Sequence, residues 1–323
     1  MRWRSRRRTC GIAVLLGLGA IACPCPGWAQ DSSRVCLART EELVLPDNVF
    51  APSWVYPEGK IDFVAVEALL DQAMTSLTGR SSVRAVWSQH FRPNDRVGIQ
   101  LDVGALTVHQ ALLEAVIRRL VRAGVSPGNI IIYAGEESAL FKAGFALHSD
   151  GDGVKVMGTD SEGYRGGLSR VVLDYCTAII NVARLRVDPQ IGMSGVLANC
   201  LAVVPHVERE RLRRAPEDLA AAAARPTLRR KTRLHILDAL RPGCEAGEPG
   251  RPPKTWVYGG LLVSCDPVAL DAVGRDILLE RLRESDQDAR ALDPPVTYLQ
   301  PASERYRLGN HDLAKIEVVA TGP

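Results

Sequence analysis

The sequence predicts an α/β fold: a single domain with a mainly parallel sheet flanked by helices on both faces. Three observations carry this. Apolar runs of strand length alternate with helical segments along the chain. Those runs, such as "NIIIYAG" and "RLHILDAL", are continuous rather than alternating, as strands buried on both faces must be. The composition is globular, with 46% hydrophobic and 24% charged residues, which excludes disordered and collagen-like chains. No internal repeat or low-complexity tract interrupts the 323 residues.

The elements follow in order. Residues 1–29 read as a cleaved export signal. "MRWRSRRRTC" is an arginine-rich leader, "GIAVLLGLGAIA" is an apolar segment too short to span a bilayer comfortably, and Gly27-Trp28-Ala29 fits a cleavage site before Gln30. "SRRRTCG" resembles a twin-arginine motif with Thr9 in place of an aromatic, and Sec export fits as well. A lipoprotein site at Cys23 is a further alternative. The expected location is therefore outside the cytoplasm, in the periplasm, with no stable membrane span after cleavage. Residues 30–60 carry prolines and scattered aromatics and read as an N-terminal arm. The α/β domain is expected over residues 61–323.

Within it, Phe63, Val66, Leu69, Leu70, Ala73 and Leu77 share one helical face. Val97–Val103 is a strand. Thr107 is a candidate N-cap for a helix that Gly124 ends. "VVLDYCTAIINVARL" contains another strand, followed by a glycine-bearing loop and a helix through Asn199. Glu208–Arg233 is charged, alanine-rich and broken at Pro216 and Pro226, which suits surface helices. "WVYGGLLVSCD" is a strand. Asp266 and Pro267 then supply the cap and first turn of the next helix. "KIEVVA" closes the chain.

Charge and cysteine usage narrow the function. Lys and Arg number 40 against 37 Asp and Glu; without the five arginines of the leader, 35 face 37. The basic excess belongs to the leader, so nothing suggests a nucleic-acid partner. Cys36, Cys176, Cys200, Cys244 and Cys265 remain after cleavage, with no C-x-x-C among them, so an iron–sulfur cluster is not expected. Buried structural thiols fit this pattern. Walker, G-x-G-x-x-G, G-x-S-x-G and H-E-x-x-H patterns are absent from the sequence.

In an open α/β sheet, ligands sit outside the carboxyl ends of the strands. Polar residues cluster there: Asp102; Asn181, Arg184, Arg186 and Asp188; Asp238; Asp266, with Asp271 on the helix that follows. Ser194 can cap the helix through Asn199, and a helix N-terminus attracts anions. Arg184 and Arg186 could clamp a phosphate or carboxylate there; strand alternation alone would instead point both outward. Strand-end carboxylates also suit a divalent cation, with Asp238 and Asp266 the first candidates. Asp271 lies among apolar neighbours and needs a partner. His206 and His235 lie in the acid-rich half.

At these residues the chain resembles an uncharacterised bacterial family, the domain of unknown function 362, and within it the exported members that lack a ferredoxin module. "RVGIQLDV", "AGVSPGNIIIY", "GTDSEGY", "INVARLRVD", "GMSGVLANC", "RLHILDAL", "LLVSCDPVALDAVG" and "YLQPASERYRLGNHDLAKIEV" come in family order. The pattern departs in three places. Gln100 and Asp102 stand where the family looks like Lys and Asn. Ala183, Arg186, Val187 and Asp188 replace Pro, Lys, Asp and His. Ser194 and Ala198 replace Thr and Lys. Asn181, Asn199, Asp238, Asp266 and Asp271 match.

The expected site is thus a carboxyl-end crevice. Asp102, Asn181, Arg186, Ser194, Asn199 and Asp271 would hold a small anionic or metal-associated ligand, and Asp188, His206 and Asp238 would hold a divalent metal. A metal-dependent or redox enzyme, and a non-catalytic scaffold with a vestigial site and the Glu208–Arg233 segment as contact surface, are the alternatives.

Overall fold

The computed structural model describes residues 33–41, 43, 61–104, 106–245, 253–285 and 291–322. The expected export signal lies outside them. The strands are β1 (Ser33–Arg39), β2 (Val97–Leu101), β3 (Ile130–Ala134), β4 (Lys155–Gly158), β5 (Tyr164–Arg165), β6 (Leu168–Ser169), β7 (Ala178–Asp188), β8 (Gly192–Ser194), β9 (Thr232–Gly243), β10 (Gly260–Ser264) and β11 (Ile316–Thr321). The helices are α1 (Phe63–Thr78), α2 (Val83–His90), α3 (Gln110–Arg122), α4 (Glu137–Lys142), α5 (Thr159–Glu162), α6 (Val196–Asn199), α7 (His206–Arg214), α8 (Pro226–Lys231), α9 (Pro267–Ser285) and α10 (Leu299–Glu304).

A nine-stranded sheet organises the described chain in the order β11-β1-β10-β9-β7-β2-β3-β4, with β8 added against β7. β9, β7, β2, β3 and β4 are mutually parallel. β10 is antiparallel to both β9 and β1, and β11 runs parallel to β1. The strands are apolar on both faces because both faces are covered. In β7, Ile179, Ala183 and Leu185 pack into the core layer that includes α6, α9 and α10; Ala178, Ile180 and Val182 pack into the layer of α1, α2 and α3. This is the period-two alternation of a strand between two apolar layers.

Local signals place most boundaries. Asp62 caps α1 by accepting the Val64 N–H, and Asp266 caps α9 by accepting those of Val268 and Ala269. Gly124, at φ 102°, ends the run after α3. Four expectations are corrected. Ser33–Arg39 is not an arm on the surface but a strand between β10 and β11. The cap of α3 is His109 rather than Thr107. The glycine-bearing loop is largely a hairpin: β7 runs to Asp188 and turns directly into β8. Asp266 lies at the opposite end of the strands from the other strand-end residues, because β10 runs antiparallel to β9. There Ser33 Oγ and the Asn310 N–H donate to it.

Candidate functional site

β2 is where the chain changes direction across the sheet. From β2 it steps outward through β3 to β4, then returns to pair β7 on the other side of β2. Helices on either side of such a switch point diverge and leave a crevice at the carboxyl ends. A cleft of about 280 Å³ occupies that place. Leu101 and Asp102 end β2, Ala134 and Gly135 end β3, and Arg186, Ser194 and Asn199 come from β7, β8 and α6. His206, Arg209, Glu210 and Arg213 of α7 close it. Of the expected residues, Asp102, Arg186, Ser194, Asn199 and His206 line this cleft.

Arg186 and Asp102 are both buried and form a two-pronged ion pair. Burial works against the guanidinium charge, but Asp102, and behind it Asp188, more than offset this and hold the Arg186 pKa above its usual value. Arg184 does not point outward either. It is buried and donates to the carbonyls of Arg241 and Thr107, tying the chain after β2 to β9.

Beneath the pair lies a neutral network. Gln100 Nε2 donates to the Asn199 carbonyl at 2.7 Å, and Tyr133 Oη donates to Gln100 Oε1. Asn199 Nδ2 donates to Asn181 Oδ1 at 2.8 Å and to the carbonyls of Gln100 and Val182. Asn181 Nδ2 donates to the Val196 carbonyl. Three acceptors around Asn199 Nδ2 leave no ambiguity about the amide. Asn199 Oδ1 accepts no hydrogen bond among the described residues, and neither does Ser194 Oγ take part in one; both residues border the cleft. Asn181 is therefore a supporting group rather than a ligand.

The remaining candidates are committed elsewhere. The N-terminus of α6, expected to attract an external anion, is filled by Asp271 from α9. This wholly buried carboxylate accepts the Val196 N–H at 2.8 Å and the Leu197 N–H at 2.9 Å. Burial pushes its pKa up to about 7 against the pull of those two donors. Gly195 makes room for it, since a Cβ there would lie 2.8 Å from Asp271 Cγ and closer still to Oδ1. Ser194 consequently caps nothing.

Asp188 accepts the Gln190 and Ile191 N–H groups, which shapes the β7–β8 turn, and meets Arg213 Nη1 at 3.2 Å. Asp238 is wholly buried against His109, whose ring Nδ1 lies 2.7 Å away and whose N–H also donates to it. Burial raises the Asp238 pKa, but His109 and Arg184 outweigh burial and hold it below the usual carboxylate range. Asp188, His206 and Asp238 thus sit in three different settings, and no three His, Cys, Asp or Glu side chains gather at metal-binding distance among the described residues. His235 is buried, and burial drives its pKa down to about 3.

Arg209, Glu210 and Arg213 of α7 were not foreseen beside His206. His206, Arg209, Glu210 and Arg213 recur at i, i+3, i+4 and i+7, one face of a helix. The signal was present inside a segment that reads as a solvated charged surface; the buried Leu212 beside this stripe seats the helix on the core. A family comparison now meets this geometry. The model for "Domain of unknown function (DUF362)" matches residues 100–276, more than half of the chain.

The chain belongs to the DUF362 family.

The match begins at Gln100 in β2 and ends within α9, so it encloses every wall of the cleft. No curated protein matches the chain. In this DUF362 protein, Asp102 and Arg186 pair with each other at the mouth of the cleft. The carboxylate meets a planar fork suited to take both its oxygens, which a Lys could not do.

Proposed function

We propose that this DUF362 protein binds a small ligand carrying an anionic group in the cleft between β2, β7 and α7. The observation behind this reading is the unspent capacity of two cleft arginines. Arg209 uses Nε on the Val204 carbonyl and Nη2 on Asp160 and Tyr164. Arg213 uses Nη1 on Asp188 and Gln190. Arg209 Nη1 and Arg213 Nε and Nη2 make no further hydrogen bond among the described residues. Three lining arginines face three lining acids, Asp102, Glu136 and Glu210. Long-range attraction is therefore weak, and short-range N–H to oxygen bonds would carry the affinity.

Thermal shift and titration calorimetry with phosphate, sulfate, acetate and citrate at low salt test this. A ligand at a hundred times its Kd adds about 2.7 kcal/mol to stability. Arg213→Ala is expected to weaken binding about 10- to 100-fold, the value of a hydrogen bond to a charged group. No stabilisation by any anion, or equal affinity in the variant, overturns the reading.

We further infer that residues 1–29 direct export, on the strength of the arginine-rich leader and short apolar segment. No described helix is long and apolar enough to cross a membrane. N-terminal sequencing of periplasmic material should begin at Gln30; unprocessed protein confined to the cytoplasm refutes this.

A further inference from the structure

An anionic group alone leaves half of the cleft unanswered. Asn199 Oδ1 is held as an acceptor, because its amide nitrogen is tied to three oxygens on the other side. The amide cannot turn over to offer a donor without breaking that network. Glu210, one residue along α7 from Arg209, makes no ion pair or hydrogen bond among the described residues. Glu136 at the rim is an acceptor as well and receives only the Ser138 hydroxyl. A purely anionic ligand would meet these oxygens with nothing to donate. It would also gain nothing from the sum of the lining charges, which is zero. Groups of both signs with unspent capacity, facing one small space, fit a ligand that is itself of both signs.

We propose that the cleft takes a small zwitterion of the α-amino acid class. Its carboxylate takes the unspent N–H groups of Arg209 and Arg213; its ammonium takes Asn199 Oδ1 and Glu210. Ser194 Oγ, able to donate or accept, serves either end. A tightly matched pair of charges also gives selectivity, because an analogue lacking either charge leaves a desolvated partner unpaired.

This rests on the cleft reading above, and the experiment separates the two. The mature protein is titrated calorimetrically at constant ionic strength with each of the twenty common amino acids. The tightest binder is then compared with its deaminated acid and its decarboxylated amine. The expected result is at least a tenfold loss for each analogue, and a similar loss of amino acid binding in Glu210→Gln. Glu210→Gln keeps shape on a partly exposed helix face, so folding is not at stake; retained binding of the deaminated acid by this variant serves as its control. If the deaminated acid or a simple anion binds as tightly as the amino acid, the zwitterion is refuted while the anion-binding cleft stands. If no amino acid, acid or anion binds, both fall.

Discussion

Gly195→Ala should be among the most damaging single-methyl substitutions in this protein. The backbone offers no obstacle: φ is −148°, an extended conformation open to any residue. The obstacle is Asp271. A methyl group at position 195 would overlap its carboxylate, lying 2.8 Å from Cγ. That carboxylate cannot swing away cheaply, since it is wholly buried and holds the Val196 and Leu197 N–H groups at 2.8 and 2.9 Å. Hydrogen bonds to a charged group contribute about 1.5–3 kcal/mol each, so displacing both costs roughly 3–6 kcal/mol. Removing a glycine restores about 0.4–1 kcal/mol through the unfolded state, leaving a net loss of roughly 2–6 kcal/mol. That is a large share of a stability of about 5–15 kcal/mol.

The assay is urea denaturation at pH 8, where a carboxyl with a pKa of about 7 is ionised. Because folding raises this pKa, ionisation itself removes stability as pH rises from about 4 through 7. A double-mutant cycle locates the cause. In an Asp271→Ala background the space is vacant, and Gly195→Ala should cost almost nothing. A wild-type midpoint for Gly195→Ala, or an equal cost in both backgrounds, refutes the steric argument.

Other outcomes follow from the same geometry. Arg186→Ala leaves Asp102 charged in a buried setting and should cost about 3–5 kcal/mol, while replacing both partners by apolar residues should recover most of it; denaturation of the single and double variants decides. His235 has its pKa lowered to about 3, so below pH 6.5 the unfolded chain binds a proton that the folded chain refuses. The His235 contribution is therefore complete above pH 6.5 and falls with acidity by up to about 1.4 kcal/mol per pH unit, opposing the Asp271 contribution over the same range. His235→Leu should remove that opposition, so stability of the variant rises more steeply toward acid between pH 6.5 and 5 than in the wild type. An unchanged slope in the variant would show that His235 makes no such contribution.

Much of the fold was legible. β3, β7 and β9 were visible as apolar runs because a strand between two layers has no solvated face to vary. Asp266 and Pro267 announced a helix start through chemistry confined to one turn. The reversal of β10 had no such signature. The apolar run "GLLVS" carries no signal of direction, and its orientation follows from what β9 and β1 offer as neighbours. Asp266 was consequently assigned to the wrong end of the sheet. Ser33–Arg39 was missed as a strand because its partners, β10 and β11, lie more than two hundred residues away.

The candidate site divides in the same way. Sequence alone determined that polar residues crowd the carboxyl ends of β2 and β7, and Asp102, Arg186, Ser194 and Asn199 do border one cleft. It also determined which residues are charged. What each charge is spent on was decided only by tertiary structure. Asp271, one turn inside α9, reaches across to fill the α6 N-terminus that looked open to a ligand. Asp238 is bound to His109, and Asp188 to its own turn and Arg213. The polar stripe of α7 borders the cleft because Leu212, three residues from Arg209, anchors the helix in the core. The physical reason is that periodicity and caps are local, carried by neighbours within a turn or a strand, whereas satisfaction of a buried charge depends on groups brought close by the whole chain. A sequence therefore shows which groups need partners, and the fold determines which of them remain available for a ligand.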